Sequence, residues 1–199
     1  MKAEQAAGQK RNKNFEETHQ DMIETAVRLI SEMGVEAVSI AALSRAMNIN
    51  RTTVYYHFES RDELILAVKG WSSAKLADAF KSTRTLEERI DYITRFVLEN
   101  PELIKLWIDD LITGTDIRAC YPHWDAMVAG IREDFVTDDG EHVDAEVYSV
   151  TLLTSAIVGP RVFKNSICPD ADTATVVARF RAERLRQLQH IAKFKASIR

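Results

Sequence analysis

The chain has little cysteine, few glycines and prolines, and no long apolar run, and each scarcity removes a class of protein. Cys120 and Cys168 are the two cysteines among 199 residues, too few for a disulfide framework, and such a pair in a cytosolic chain is expected to be reduced. Neither is assigned a role. No stretch approaches the roughly 20 apolar residues that cross a bilayer, and the opening M-K-A-E-Q-A-A-G-Q-K lacks the apolar centre of a secretory leader. A cytoplasmic protein without a membrane partner is expected. The seven glycines are scattered at helix ends and turns, so no phosphate-cradling loop is built. A G-x-S-x-G elbow and paired carboxylates on a shared face are missing too. Neither an enzyme nor a cofactor is therefore expected. Cys120 and His123 have a metal-ligand spacing but no second cluster beside them, so no metal site is expected. A net charge of -4 argues against a basic coat for nucleic acid. Any affinity for such a partner would come from a local patch and would fall with salt.

What is present is helical periodicity. With 46% hydrophobic and 28% charged residues the chain can bury a core, and no strand pattern is visible. Ile23, Ala26, Val27 and Ile30 recur at i, i+3, i+4 and i+7, which predicts an amphipathic helix from Glu16 to Met33 ended by Gly34. Lys10, Arg11 and Lys13 lie in a flexible basic lead-in over residues 1–14. They are read either as reaching DNA or as a solvated tail.

Ser39 to Phe58, S-I-A-A-L-S-R-A-M-N-I-N-R-T-T-V-Y-Y-H-F, organises the rest. It contains Arg45 and Arg51 but no Asp or Glu. Ser39 is an N-cap for a helix carrying Ile40, Leu43 and Ala46. Asn48 falls where a left-handed residue turns the chain, and Asn50 caps a second helix. Ile49 and Val54 have the spacing of a hydrophobic staple. On a helix of 3.6 residues per turn Val54 and Phe58 share one face, with Thr52, Thr53 and Tyr56 opposite. Tyr55 and His57 fall on the flanks, within reach of phosphates lining a major groove. Arg51 in the first turn can reach guanine or phosphate. This is the pattern of a helix-turn-helix DNA reader. Ser39, Asn50, Arg51, Thr52, Thr53, Tyr55, Tyr56, His57 and Arg61 make up the expected DNA-facing set.

Here I-N-R-T-T-V-Y-Y-H-F followed by E-S-R-D-E-L-I-L-A-V resembles the TetR family of one-component transcriptional regulators, over about residues 15 to 70. The resemblance implies that Thr53, Tyr55, His57 and Arg61 touch DNA and that Asn50, Arg51 and Thr52 choose the sequence. Asn48 for the turn glycine and Met47 for a small alanine depart from the family pattern. Arg61 opens a helix whose capping box is Ser60 and Glu63, running to about Phe80. A cation there opposes the helix dipole, so a phosphate partner is expected.

Further helices are expected from Thr85, with Glu88 completing a capping box, to Asn100; from Pro101, capped by Asn100, to Thr113; and from Pro122 through Phe135 to Asp138-Asp139-Gly140. A longer helix from about His142 to Val158 is interrupted by Gly159 and Pro160, and a last one runs from about Thr173 to Phe194. The expected fold is all-α: a helix-turn-helix DNA-binding domain over 15–60, a connecting helix over 61–80, and a helical ligand-binding and dimerisation domain over 81–199. Trp107, Arg118, Tyr121, His123, Trp124, Met127 and Arg161 are candidates to line an effector pocket, with a filled core as the competing reading. Val147, Val150, Ile157, Phe180, Leu188 and Ile191 are candidates for a dimer face. The last two helices of TetR-like proteins pair with their copies, the alternative being that these residues close the core. The expected partners are double-stranded DNA with a palindromic operator, a small-molecule effector and a second copy of the chain. The expected function is a transcriptional regulator, most simply a repressor that the effector releases from DNA. The alternative is an all-helical small-molecule-binding protein or enzyme with no DNA role.

Overall fold

The computed structural model describes the backbone of residues 2–78, 84–114, 116–121, 123–134 and 143–197, and the side chains of 13–78, 84–114, 116–119, 121, 123–133 and 143–189. The expectations at Phe80, Pro122, Phe135, Asp138 to Gly140 and the Ile191 side chain lie outside the described residues. Two compact units divide the chain, residues 1–72 and 73–199. Among the described residues the secondary structure is helical throughout.

In the first unit α1 spans Lys2–Met33. Its backbone runs through the stretch expected as a flexible lead-in, because nothing between Lys2 and Met33 is a proline that would remove a backbone donor. Gly34, at φ 82°, turns the chain, its N–H donating to the Ile30 carbonyl at 2.8 Å. A 3-10 turn over Val35–Ala37 leads to α2 (Ile40–Met47), α3 (Arg51–His57) and α4 (Arg61–Ala77). Met22, Ala26 and Ile30 of α1, Leu43 of α2, Val54 of α3 and Leu64 and Val68 of α4 are fully buried. Each of these side chains other than Ala26 contributes about 1.5–3 kcal/mol relative to exposure. Ser60 accepts the Glu63 N–H at 3.2 Å, but the Glu63 carboxylate accepts from the Glu59 N–H rather than from Ser60. The expected box is therefore shifted by one residue.

The second unit holds α5 (Leu86–Glu99), α6 (Pro101–Thr113), α7 (Ile117–Cys120), α8 (Trp124–Asp134), α9 (Ala145–Val162) and α10 (Thr173–Ser197). Packing of α5 against α9 and α10, and of α8 against α9, makes the bundle. An Arg181 to Asp91 ion pair at 2.7 Å ties α10 to α5. The Thr85 and Glu88 capping box forms in both directions. The Thr85 backbone N–H, then its hydroxyl, holds the Glu88 carboxyl below its ordinary value. A depressed folded pKa stabilises α5 fully above the ordinary carboxylate value, and the effect fades as pH falls through the lowered one. Glu88→Gln, which removes the titrating carboxyl, is accordingly expected to weaken the acid dependence of helix content, read by far-ultraviolet circular dichroism.

Three expectations are corrected. Asn100 stands at the N-cap position of α6 but makes no side-chain cap bond there; its amide instead donates to the Phe96 carbonyl at 2.9 Å and closes α5. Because Pro101 brings no N–H to the start of α6, that helix has one fewer orphan donor to satisfy. Second, Gly159-Pro160 does not interrupt α9, which continues to Val162. Pro160 is buried beside the buried Ile157, so packing offsets the lost backbone bond, and the helix widens into a π-helical segment over Phe163–Ile167. Third, the short α7 was not expected. Asp116 creates it by accepting the Arg118 N–H at 3.0 Å.

Candidate nucleic-acid interface

Local chemistry builds the two-helix reader. The Ser39 hydroxyl accepts the Ala42 N–H at 3.1 Å and starts α2. Asn48 then adopts the left-handed conformation, φ 53° and ψ 44°, and closes α2 on the Ser44 and Arg45 carbonyls. Asn50 accepts the Thr52 N–H through Oδ1 at 3.0 Å and starts α3. Val54 and Phe58 are buried beneath it, so the opposite face turns outward. Arg51, Thr52 and Thr53 are exposed, and the Tyr55 and Tyr56 phenols are 54% and 72% exposed. Neither α2 nor α3 contains an acid, and Arg45 is exposed at the end of α2. The N-terminal end of α3 adds its own partial positive charge.

Two expected phosphate contacts are placed differently. His57 is buried at 9% exposure: the Phe15 ring of α1 lies on it, with centroids 4.2 Å apart. Burial, then the neighbouring His19, lowers its pKa from the ordinary value, while Glu16 opposes that shift. The imidazole thus packs within the domain against α1. Arg61 is also engaged. Its Nε donates to the Val38 carbonyl at 2.8 Å and its Nη2 to the Val35 carbonyl at 3.0 Å, with Glu36 at 3.7 Å. A planar guanidinium fork suits the Val38 carbonyl and the Val35 carbonyl of the 3-10 turn, the latter also accepting the Val38 N–H at 3.2 Å. That answers the helix-dipole objection without a phosphate. Ser39 is half-buried and its oxygen is occupied as a cap. The sequence reading missed Phe15 and His19. Their spacing of four residues, which stacks the rings at 5.9 Å, was the available signal.

In the second unit the expected effector set does not converge on one lining. Trp107, Tyr121 and Trp124 are buried with Leu76, Val128, Ile131 and Ala145, and Met127 packs against them. The Trp107 and Tyr121 rings meet edge to face at 6.0 Å, and burial pushes the Tyr121 hydroxyl pKa up to about 12. Arg118 and His123 face solvent, Arg118 pairing with Asp125 at 3.0 Å. Half-buried Arg161 lies 3.5 Å from the Leu98 carbonyl. Large aromatics fill core where it is available, while charges stay at the water boundary. The dimer candidates also divide. Val147 and Val150 are 62% and 45% exposed, but Ile157 is buried at 1% in a cluster with Val97 and Ile104. Phe180 and Leu188 are half-buried. Ile157 is therefore core, a consequence of its lying on the α5 and α6 side of α9.

Two short helices locked by side-chain caps, the second presenting arginine, hydroxyls and phenols to solvent, form a helix-turn-helix motif. Residues 22–68 match the family model described as bacterial regulatory proteins, tetR family. That stretch is similar to the N-terminal DNA-binding region of the tetR family. It is 26% identical over 69 residues to the transcriptional regulator AcrR of Shigella flexneri, covering 35% of this chain and 32% of that protein. It is 28% identical over 85 residues to the transcriptional repressor AcnR of Corynebacterium glutamicum, covering 43% of each. The matches span between about a third and less than half of these relatives' length. Among solved structures, a tetR-family regulator from Streptomyces coelicolor superposes with a TM-score of 0.61 at 21% identity, covering 84% of this chain and 78% of that one. One of the TetR/AcrR family from Thermobifida fusca gives 0.57 at 19%, covering 83% and 95%. These likenesses show the fold.

Proposed function

We propose that the protein is a homodimeric repressor that reads a palindromic operator with α3 and is released by a small-molecule effector, acting in the cytoplasm. The observation that carries the reading is the outward face of α3, where Arg51, Thr52, Thr53, Tyr55 and Tyr56 are exposed together on a helix without acids. Hydroxyls, phenols and an arginine fork supply the donors that phosphates and base edges accept. His57 and Arg61 leave the contact list, since their groups are engaged within the domain.

A dimer follows from what one helix can read. Two reading helices about 34 to 36 Å apart cover a palindrome, and one alone gives weak specificity. Exposed Val147 and Val150 on α9, with Phe180 and Leu188 on α10, supply an apolar face for a second copy. Val150→Glu is expected to shift the protein toward monomer in analytical ultracentrifugation and to weaken operator binding about tenfold, because burying an unpaired carboxylate is costly.

Two proteins it resembles support the regulatory part. AcnR is a repressor by name, and a regulator of similar fold from Saccharomonospora viridis was solved in complex with choline. An effector need contribute only about 1–3 kcal/mol of coupling to change operator occupancy. The test is selection of bound sites from random duplex DNA. A palindromic consensus is expected, and absence of any enriched sequence would refute the reading. Arg51→Ala and Thr52→Ala are expected to change the selected consensus rather than lower affinity uniformly, since both side chains lie at the opening of α3.

A further inference from the structure

The geometry points to Phe15 as a positioning residue of the DNA-reading surface: its ring holds the C-terminal end of α3 to α1 and braces Tyr56 on the outward face. The inference rests on the DNA-binding reading above and adds a residue outside the stretch 22–68 that matches the family model.

One ring makes both contacts. Phe15 stacks on the His57 imidazole at 4.2 Å with planes 18° apart, and meets the Tyr56 ring edge to face at 5.5 Å and 87°. These are favourable arrangements for aromatic quadrupoles. One turn later on α1, His19 stacks on Phe58 at 4.5 Å and lies 5.6 Å from His57. The last three residues of the reading segment therefore all rest on rings from α1. In both imidazoles Nδ1 is buried without a hydrogen-bond partner among the described residues.

The consequence for reading is specific to Tyr56. At 72% exposure its phenol has little else to hold it, and an unrestrained side chain loses rotamer entropy when it docks on a base or phosphate. Bracing by Phe15 removes part of that loss before DNA arrives. The same ring covers His57, which sits at a position the family resemblance had given to DNA contact. Readout at the end of α3 thus passes from the imidazole to the neighbouring phenol.

The test compares Phe15→Ala, Phe15→Leu and Phe15→Tyr by fluorescence anisotropy on the selected duplex and on a scrambled one. Phe15→Leu keeps apolar volume and protects folding, so it is the deciding variant. Phe15→Ala and Phe15→Leu are expected to lower the ratio of specific to scrambled affinity about three- to tenfold. Scrambled binding should stay near wild type, and Phe15→Tyr should retain the wild-type ratio. A Phe15→Leu protein that discriminates as well as wild type would overturn the inference, reducing Phe15 to filler. A second measurement needs no DNA. The Tyr56 and His57 ring resonances in the free protein should be displaced by the Phe15 ring current and should relax in Phe15→Leu. Identical resonances in the two proteins would also overturn it. If wild type itself fails to discriminate the two duplexes, the DNA-reading function fails, and the resonances still report whether the brace exists.

Discussion

Trp107→Ala is expected to destabilise the second unit by about 3–5 kcal/mol, the range for removing a buried large aromatic. Trp107 is 4% exposed and its ring meets Tyr121 edge to face in the cluster that also contains Trp124, Val128 and Ile131. Alanine leaves a void that helices fixed by many other contacts close only partly. For a chain of this size each kcal/mol lowers the melting temperature by roughly 2–4 °C, so a fall of about 10 °C in calorimetry is the expected result. The measurement also separates two roles for the aromatic set. A side chain lining an open pocket has solvent on one side and fewer contacts to lose. A melting shift below about 2 °C would therefore restore the pocket reading of Trp107. Trp124→Ala should give a similar loss, and the double variant less than the sum, because the two residues share one cluster.

The parts of the fold that could be read in advance are those set by neighbours in sequence. Ser39 and Asn50 act on N–H groups three and two residues ahead, and Asn48 turns the chain by its own conformation. These interactions need no partner from elsewhere, so the two-helix reader is legible in twenty letters. The intramolecular partners of His57 and Arg61 come from far away in sequence. Phe15 lies outside residues 22–68, which match the family model, and the Val38 and Val35 carbonyls are 23 and 26 residues before Arg61. No local pattern announces such pairings. The second unit is harder for a different reason. In α9 apolar and small residues lie on all sides, so the sequence shows that the helix is apolar but not which of Val147, Val150 and Ile157 faces inward. Pro160 was read by its intrinsic preference for ending helices, and burial prevailed over that preference.

Arg61→Ala is expected to lower the stability of the first unit by about 1.5–2 kcal/mol, the lower part of the range for hydrogen bonds from a charged donor, since the Val38 carbonyl loses its Arg61 partner while the Val35 carbonyl keeps the Val38 N–H. The side chain joins the start of α4 to the 3-10 turn between α1 and α2, so its removal loosens the frame on which α3 sits. Arg61→Lys should recover only part of this, since an ammonium cannot present the fixed fork that spans two carbonyls. A phosphate contact and a structural clamp make opposite predictions for salt. Losing a phosphate contact reduces the dependence of log affinity on log salt by about one unit, with thermal stability unchanged. Losing the clamp lowers the melting temperature and leaves that slope as in wild type, because the number of neutralised phosphates has not changed. DNA affinity falls in both cases, so affinity alone decides nothing. The slope and the melt taken together do, and a wild-type melt with a shallower slope would return Arg61 to the DNA-contacting set.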